Sequence, residues 1–173
     1  VFRWEFATAL TGALMGINPF DQPNVQAAKA ASTRMLEEGG VAPDPVDAGA
    51  LLDQLDDGDV LALLAFVDPG GEAARTLGSL VAPLRERYGV AVTLGIGPRY
   101  LHSTGQLHKG GPDHGVFAVL VEDAASDVDV PGRDHTFEQL LRAQAAGDLT
   151  ALRDARRRAG LVRLDDLAAL VEG

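Results

Sequence analysis

Between Arg99 and His114 the chain gathers many groups that exchange protons or hydrogen-bond a polar ligand: Arg99, His102, Ser103, Thr104, Gln106, His108, Lys109 and His114. Three of its four histidines fall in that stretch. Imidazole changes charge close to neutral pH, so such a segment suits acid/base work. Lysine usage points the same way. There are thirteen arginines but only two lysines, Lys29 and Lys109. Arginine carries charge without releasing a proton, whereas a lysine releases one once its pKa is lowered. Lys29 follows Asn18-Pro19-Phe20-Asp21-Gln22-Pro23 in a helical pattern. It falls at the edge of the stripe formed by Val25, Ala28, Ser32 and Leu36, where partial desolvation is expected. Acting near pH 7 would require lowering its pKa by roughly 3 units, about 4 kcal/mol of bias.

Other chemistries fit less well. His102, His108 and His114 lack a metal-binding spacing and an acidic partner, so no metal is expected. Gly105 to Lys109 lacks the spacing of a Walker A loop, and Ser103 lacks a Gly-x-Ser-x-Gly elbow. No cofactor is implied. The plain alternatives are a surface lysine at 29 and a flexible loop at 99–114. On residue pattern alone, the chain reads as a small polar-ligand enzyme or a binding domain.

The elements that must position these groups follow from periodicity and punctuation. Residues 2–16 are apolar nearly all round, which predicts a buried helix. The two prolines at 19 and 23 end it and start a second helix running to about residue 38, capped by Asp21 and stopped by Gly39-Gly40. Residues 41–50, with Pro43 and Pro45, read as a linker. Beyond it the pattern alternates: strands at 60–67, 90–96 and 116–121, with a helix at 72–87 after the first. Two capped helices at 136–146 and 148–159, a short strand at 161–164 and a last helix from 165 complete it. The acidic run from Asp53 to Asp59 reads as a solvated loop. Strand–helix–strand order with short loops predicts a mostly parallel sheet. The fold class is therefore α/β: an N-terminal helical segment, residues 1–40, then a small three-layer domain, residues 51–173. In such sheets ligands sit beyond the carboxyl ends of strands, where the 97–114 segment begins.

Composition bounds the setting. Of 173 residues, 46% are apolar, and 15 basic against 25 acidic side chains leave a net charge of −10. That apolar content suits one packed core and not a disordered chain. The acidity disfavours nucleic acid as a partner. The absence of cysteine removes disulfides, thiolate zinc sites and a cysteine nucleophile. The apolar run from Phe6 to Ile17 is too short to span a bilayer, and no signal peptide is evident, so a cytoplasmic protein is expected. Opening on Val1 inside a helical pattern suggests a piece of a longer polypeptide.

Two segments together resemble a known family. Asn18-Pro-Phe-Asp-Gln-Pro-Asn-Val-Gln-Ala-Ala-Lys29 is similar to the C-terminal signature of glucose-6-phosphate isomerases, with Lys29 seven residues after Gln22. Leu101-His-Ser-Thr-Gly-Gln106 resembles the family's His-Ser-x-Gly-Gln motif. With Gly-Pro-Arg-Tyr before it and Leu-His-Lys-Gly-Gly-Pro after it, the chain looks most like the C-terminal part of bifunctional transaldolase/phosphoglucose isomerases, over most of its length. In ordinary phosphoglucose isomerases the histidine motif precedes the lysine motif; here the order is reversed.

The resemblance implies a SIS-like context and a role in interconverting glucose 6-phosphate and fructose 6-phosphate. It makes Lys29 and His102 the ring-opening acid/base groups and Gln22 a substrate contact, with Arg99, Ser103, Thr104 and Gln106 as further contacts. The catalytic glutamate and the phosphate loops would lie upstream in the same polypeptide, so the piece alone would be inactive. The implied partners are a sugar phosphate, those upstream domains and a second copy in a homodimer. The alternative is a non-catalytic sugar-phosphate-binding or assembly module.

Overall fold

The uniformly apolar run at 60–67 lies where its composition requires, in the middle of a sheet with both faces covered. The computed structural model describes residues 1–37, 43–122 and 127–172. Four strands, β1 (Val60–Phe66), β2 (Ala91–Ile96), β3 (Gly115–Val121) and β4 (Arg158–Leu161), form a sheet in the order β2-β1-β3-β4. Every pairing is parallel, with Val60 opposite both Ala91 and Gly115, and Val116 opposite Arg158. β1 is hydrogen-bonded on both sides, so alternate residues enter two separate cores.

One core joins Leu61, Leu63, Ala65, Val116 and Leu120 to helices α3 (Ala48–Leu52), α4 (Glu72–Tyr88) and α7 (Leu164–Glu172). The other joins Ala62, Leu64, Phe66, Phe117 and Val119 to Tyr100 and to helix α6 (Phe137–Asp154). The expected three-layer α/β architecture is therefore present. Two helices precede it, α1 (Phe2–Met15) and α2 (Pro23–Glu37), and α2 packs along the outer side of α6. No helix among the described residues is long and apolar enough to cross a membrane.

Several local expectations are corrected. The two helices expected at 136–146 and 148–159 are one, α6. It starts from a reciprocal capping box in which Thr136 and Gln139 satisfy each other's backbone N–H groups. Gly147 is no break: a Cβ there would lie 2.5 Å from the backbone nitrogen of Ser32, so the glycine admits α2 against α6. The strand expected at 161–164 lies earlier, at Arg158–Leu161. Its register is fixed by Arg158, whose guanidinium donates to both oxygens of the buried Asp59, at 2.7 and 3.1 Å. Asp59 is thus sealed at the foot of β1 and not part of a solvated loop, and the guanidinium holds its carboxyl below the usual range.

The stretch read as a linker ends in α3, which Asp47 caps by accepting from the Ala50 N–H at 2.7 Å. Ala48, Leu51 and Leu52 are buried there. Residues 38–42, including the expected Gly39-Gly40 stop, lie outside the described residues. Helix α1 is not buried. Phe2 is 76% and Trp4 80% exposed, and Gly12 alone in that helix is covered, by Pro19 folding back on it. Its circumference is apolar as expected, but apart from Gly12 it is exposed along its length.

Candidate functional site

The 99–114 segment leaves β2 through Gly97, whose N–H donates to the Ala65 carbonyl at 2.7 Å. A Cβ at Gly97 would meet the Phe66 ring at 2.7 Å, so glycine lets the chain turn tightly over the sheet. A 3₁₀ turn, Arg99–His102, and a short helix α5, Gly105–Gly110, follow. The loop expected there is therefore largely helical.

Buried Tyr100, Lys109 and Asp148 hold it, together with half-buried Arg157. Tyr100 packs edge-on against Phe66, with ring centroids 5.8 Å apart, and its hydroxyl donates to Asp148 Oδ2 at 2.5 Å. Lys109 Nζ lies 2.5 Å from Asp148 Oδ1, and both side chains are essentially sealed from solvent. Arg157, just past α6, donates to the carbonyls of Lys109 at 2.9 Å and Gly111 at 2.5 Å. Burial and the adjacent Asp148 charge push the Tyr100 hydroxyl well above its ordinary pKa, so it stays a donor.

His108 lies between the rings of Tyr100 and Phe117, with centroids 5.9 and 5.2 Å away. Burial, assisted by the Lys109 ammonium, lowers its pKa to about 4, so the ring is neutral at physiological pH. His102, at the end of the 3₁₀ turn, and His114 are exposed. No group of three metal-ligating side chains comes together among the described residues.

The structure brings the two motif segments into contact at their glutamine and asparagine. The backbone N–H of Asn24, in the first turn of α2, donates to Gln106 Oε1 at 3.2 Å across 82 positions of sequence. Gly110 makes room for this: a Cβ there would lie 2.6 Å from Gln106 Nε2 and 3.0 Å from Asn24 Nδ2. Gln22, Lys29, Arg99 and His102 are all exposed. For Lys29 this corrects the expected partial burial. Among the described side chains of α2, Val25 and Ala31 are buried and Ser32, Met35 and Leu36 half-buried, while Lys29 faces solvent. Ser103 and Thr104 turn their hydroxyls inward to the Tyr100 carbonyl, at 3.1 and 3.3 Å. They also border a cavity of about 460 Å³ over the sheet, lined by Leu64, Thr93, Tyr100 and His108. That cavity is mainly hydrocarbon, whereas Lys29, Arg99 and His102 are each exposed to solvent.

No family model matches the chain, and no curated protein matches it. A solved structure, that of hypothetical protein TT0462 from Thermus thermophilus, matches with a TM-score of 0.57 and 23% identity. The match covers 82% of this chain and 40% of that one, so the chain spans about two fifths of its structural neighbour. This likeness is one of fold.

Asp148, Tyr100, Asn24 and Arg157 are not among the residues expected from the sequence, although they build the site. The scarcity of lysine does single out Lys109, but nothing in the sequence pairs it with an aspartate 39 positions away. Asp148, following Gly147, reads as a helix cap when taken alone.

Proposed function

We propose that the chain is the C-terminal portion of an aldose–ketose isomerase acting on glucose 6-phosphate and fructose 6-phosphate, and that it supplies the groups that open the sugar ring. The observation that carries this reading is the Asn24 to Gln106 hydrogen bond. It joins the start of the lysine-bearing helix to the segment bearing His102, as one active site would require of two motifs 82 positions apart.

The chemistry is a proton relay. To open the ring, an acid donates a proton to the ring oxygen as the bond from C1 to that oxygen breaks. A base takes the proton of the C1 hydroxyl, whose electrons form the aldehyde. Lys29 and His102 fill these two roles, and each role requires hydrogen-bond reach of one oxygen. Gln22 and Gln106 orient hydroxyls, and Arg99 adds positive charge. The net charge of −10 repels a sugar phosphate, so Lys29 and Arg99 must provide local attraction. The later proton shift from C2 to C1 needs a carboxylate base from outside this chain.

The test is kinetic. In a polypeptide that joins this chain to its glutamate-bearing isomerase segment, Lys29→Ala and His102→Ala should each lower turnover of glucose 6-phosphate by about 10²- to 10⁴-fold with the fold intact. Unchanged turnover would leave the second reading, an assembly module. The exposed apolar surface of α1, from Phe2 and Trp4 to Leu14, favours that reading.

A further inference from the structure

We propose that Asp148 is a positioning residue that fixes the histidine segment relative to the lysine-bearing helix; this rests on the reading that Lys29 and His102 act on one sugar. Its two carboxylate oxygens are divided between two ends of one segment. Oδ2 accepts from Tyr100, two residues before His102, and Oδ1 pairs with Lys109, three residues after Gln106. Arg157 adds a second clamp at the far end through the Lys109 and Gly111 carbonyls. The stretch from His102 to Gln106 is therefore suspended between two ends that are both held by Asp148 of α6.

The neighbouring residue does the complementary work. Gly147 is where α2 approaches α6, with Ser32 against its Cα, and α2 carries Lys29. Positions 147 and 148 of one helix thus register both motif segments, one by close approach and the other by charge. A buried ion pair is a poor source of stability, because apolar residues of similar volume serve a core as well or better. A role in placement accounts for it. The anchor is also stiff: Asp148 sits mid-helix in α6, whose N-terminus is capped, and its side chain is fully buried.

The test replaces the pair by hydrocarbon, Lys109→Met with Asp148→Leu, in the 173-residue chain. Hydrogen exchange is then followed residue by residue. Amides of 101–110 are expected to exchange about tenfold faster or more, while those of β1 and β3 keep their protection. Unchanged exchange in 101–110 would overturn the proposal. Should the double variant fail to fold cooperatively, Tyr100→Phe decides, because it removes one anchor only. Faster exchange at Ser103 and Thr104 is then expected, and unchanged exchange overturns the proposal.

A kinetic arm separates placement from mere structure. In the joined polypeptide, the double variant should lose turnover on cyclic glucose 6-phosphate about tenfold or more relative to erythrose 4-phosphate, an aldose phosphate that cannot close a ring. Equal loss on both substrates would signify a smaller folded fraction and contradict the positioning role. If the parent polypeptide turns over neither substrate, the isomerase reading fails, and the exchange measurement still judges the anchor.

Discussion

Lys109 Nζ and Asp148 Oδ1 lie 2.5 Å apart, both side chains sealed from water. Removing one partner should cost far more than removing both. Asp148→Ala strands a buried ammonium and is expected to destabilise the chain by about 3–5 kcal/mol. The hydrocarbon pair Lys109→Met with Asp148→Leu should stay within about 2 kcal/mol of the parent, since it leaves no buried charge, and removes only the acceptor of the Tyr100 hydroxyl and the long Lys109 bond to the Gly105 carbonyl. Urea unfolding of the three proteins checks the order.

His108 makes stability depend on pH. Its folded pKa of about 4 lies below the ordinary histidine value of 6.5, so between those values the unfolded chain binds the proton that the folded chain refuses. The contribution is complete above pH 6.5 and is lost as pH falls through 4. His108→Phe keeps the packing against Tyr100 and Phe117 but cannot titrate. Its unfolding free energy should therefore fall less than the parent's between pH 7 and pH 4. Equal losses would contradict the buried neutral ring.

Gly147→Ala sets two effects against each other. Helix propensity favours alanine by up to about 1 kcal/mol. The new Cβ, however, would lie 2.5 Å from the Ser32 nitrogen and 2.7 Å from its Cα, both backbone atoms that cannot swing away. Overpacking of this kind costs about 1–3 kcal/mol, so a net loss is expected, together with loosening of α2. Thermal melting and exchange at α2 amides measure both.

Asp59 contributes at the acid end. Hydrogen bonds from Arg158 lower its folded pKa, so its contribution is present above the unfolded carboxylate value and is lost as pH falls through the lowered one. Arg158→Met should remove that acid step from a stability–pH curve measured below about pH 4.

The strands and most helices were legible because periodicity is local: β1 declares its double burial by an unbroken apolar run, and α4 by its stripe of Leu77, Leu80 and Leu84. What misleads is a residue whose meaning depends on a distant partner. Gly147 resembles a helix stop until Ser32 is seen against it, and Asp148 resembles a cap until Lys109 arrives from another element. Asp59 resembles its acidic neighbours in sequence and is set apart from them only by Arg158, 99 positions away. The candidate residues of the site were legible as a cluster of types, but their arrangement was not. Exposure of Lys29 follows from the side on which α2 meets α6, a tertiary choice that its own sequence leaves open.

The central claim is that Lys29 and His102 open a sugar ring, and the most direct measurement separates that step from the rest. In the joined polypeptide, rates on cyclic glucose 6-phosphate and on the open-chain erythrose 4-phosphate are compared for the parent, Lys29→Ala and His102→Ala. The account predicts that both variants lose the cyclic substrate by about 10²-fold or more while keeping most turnover on the open-chain one. Full activity on the cyclic sugar, or an equal loss on both, would contradict it.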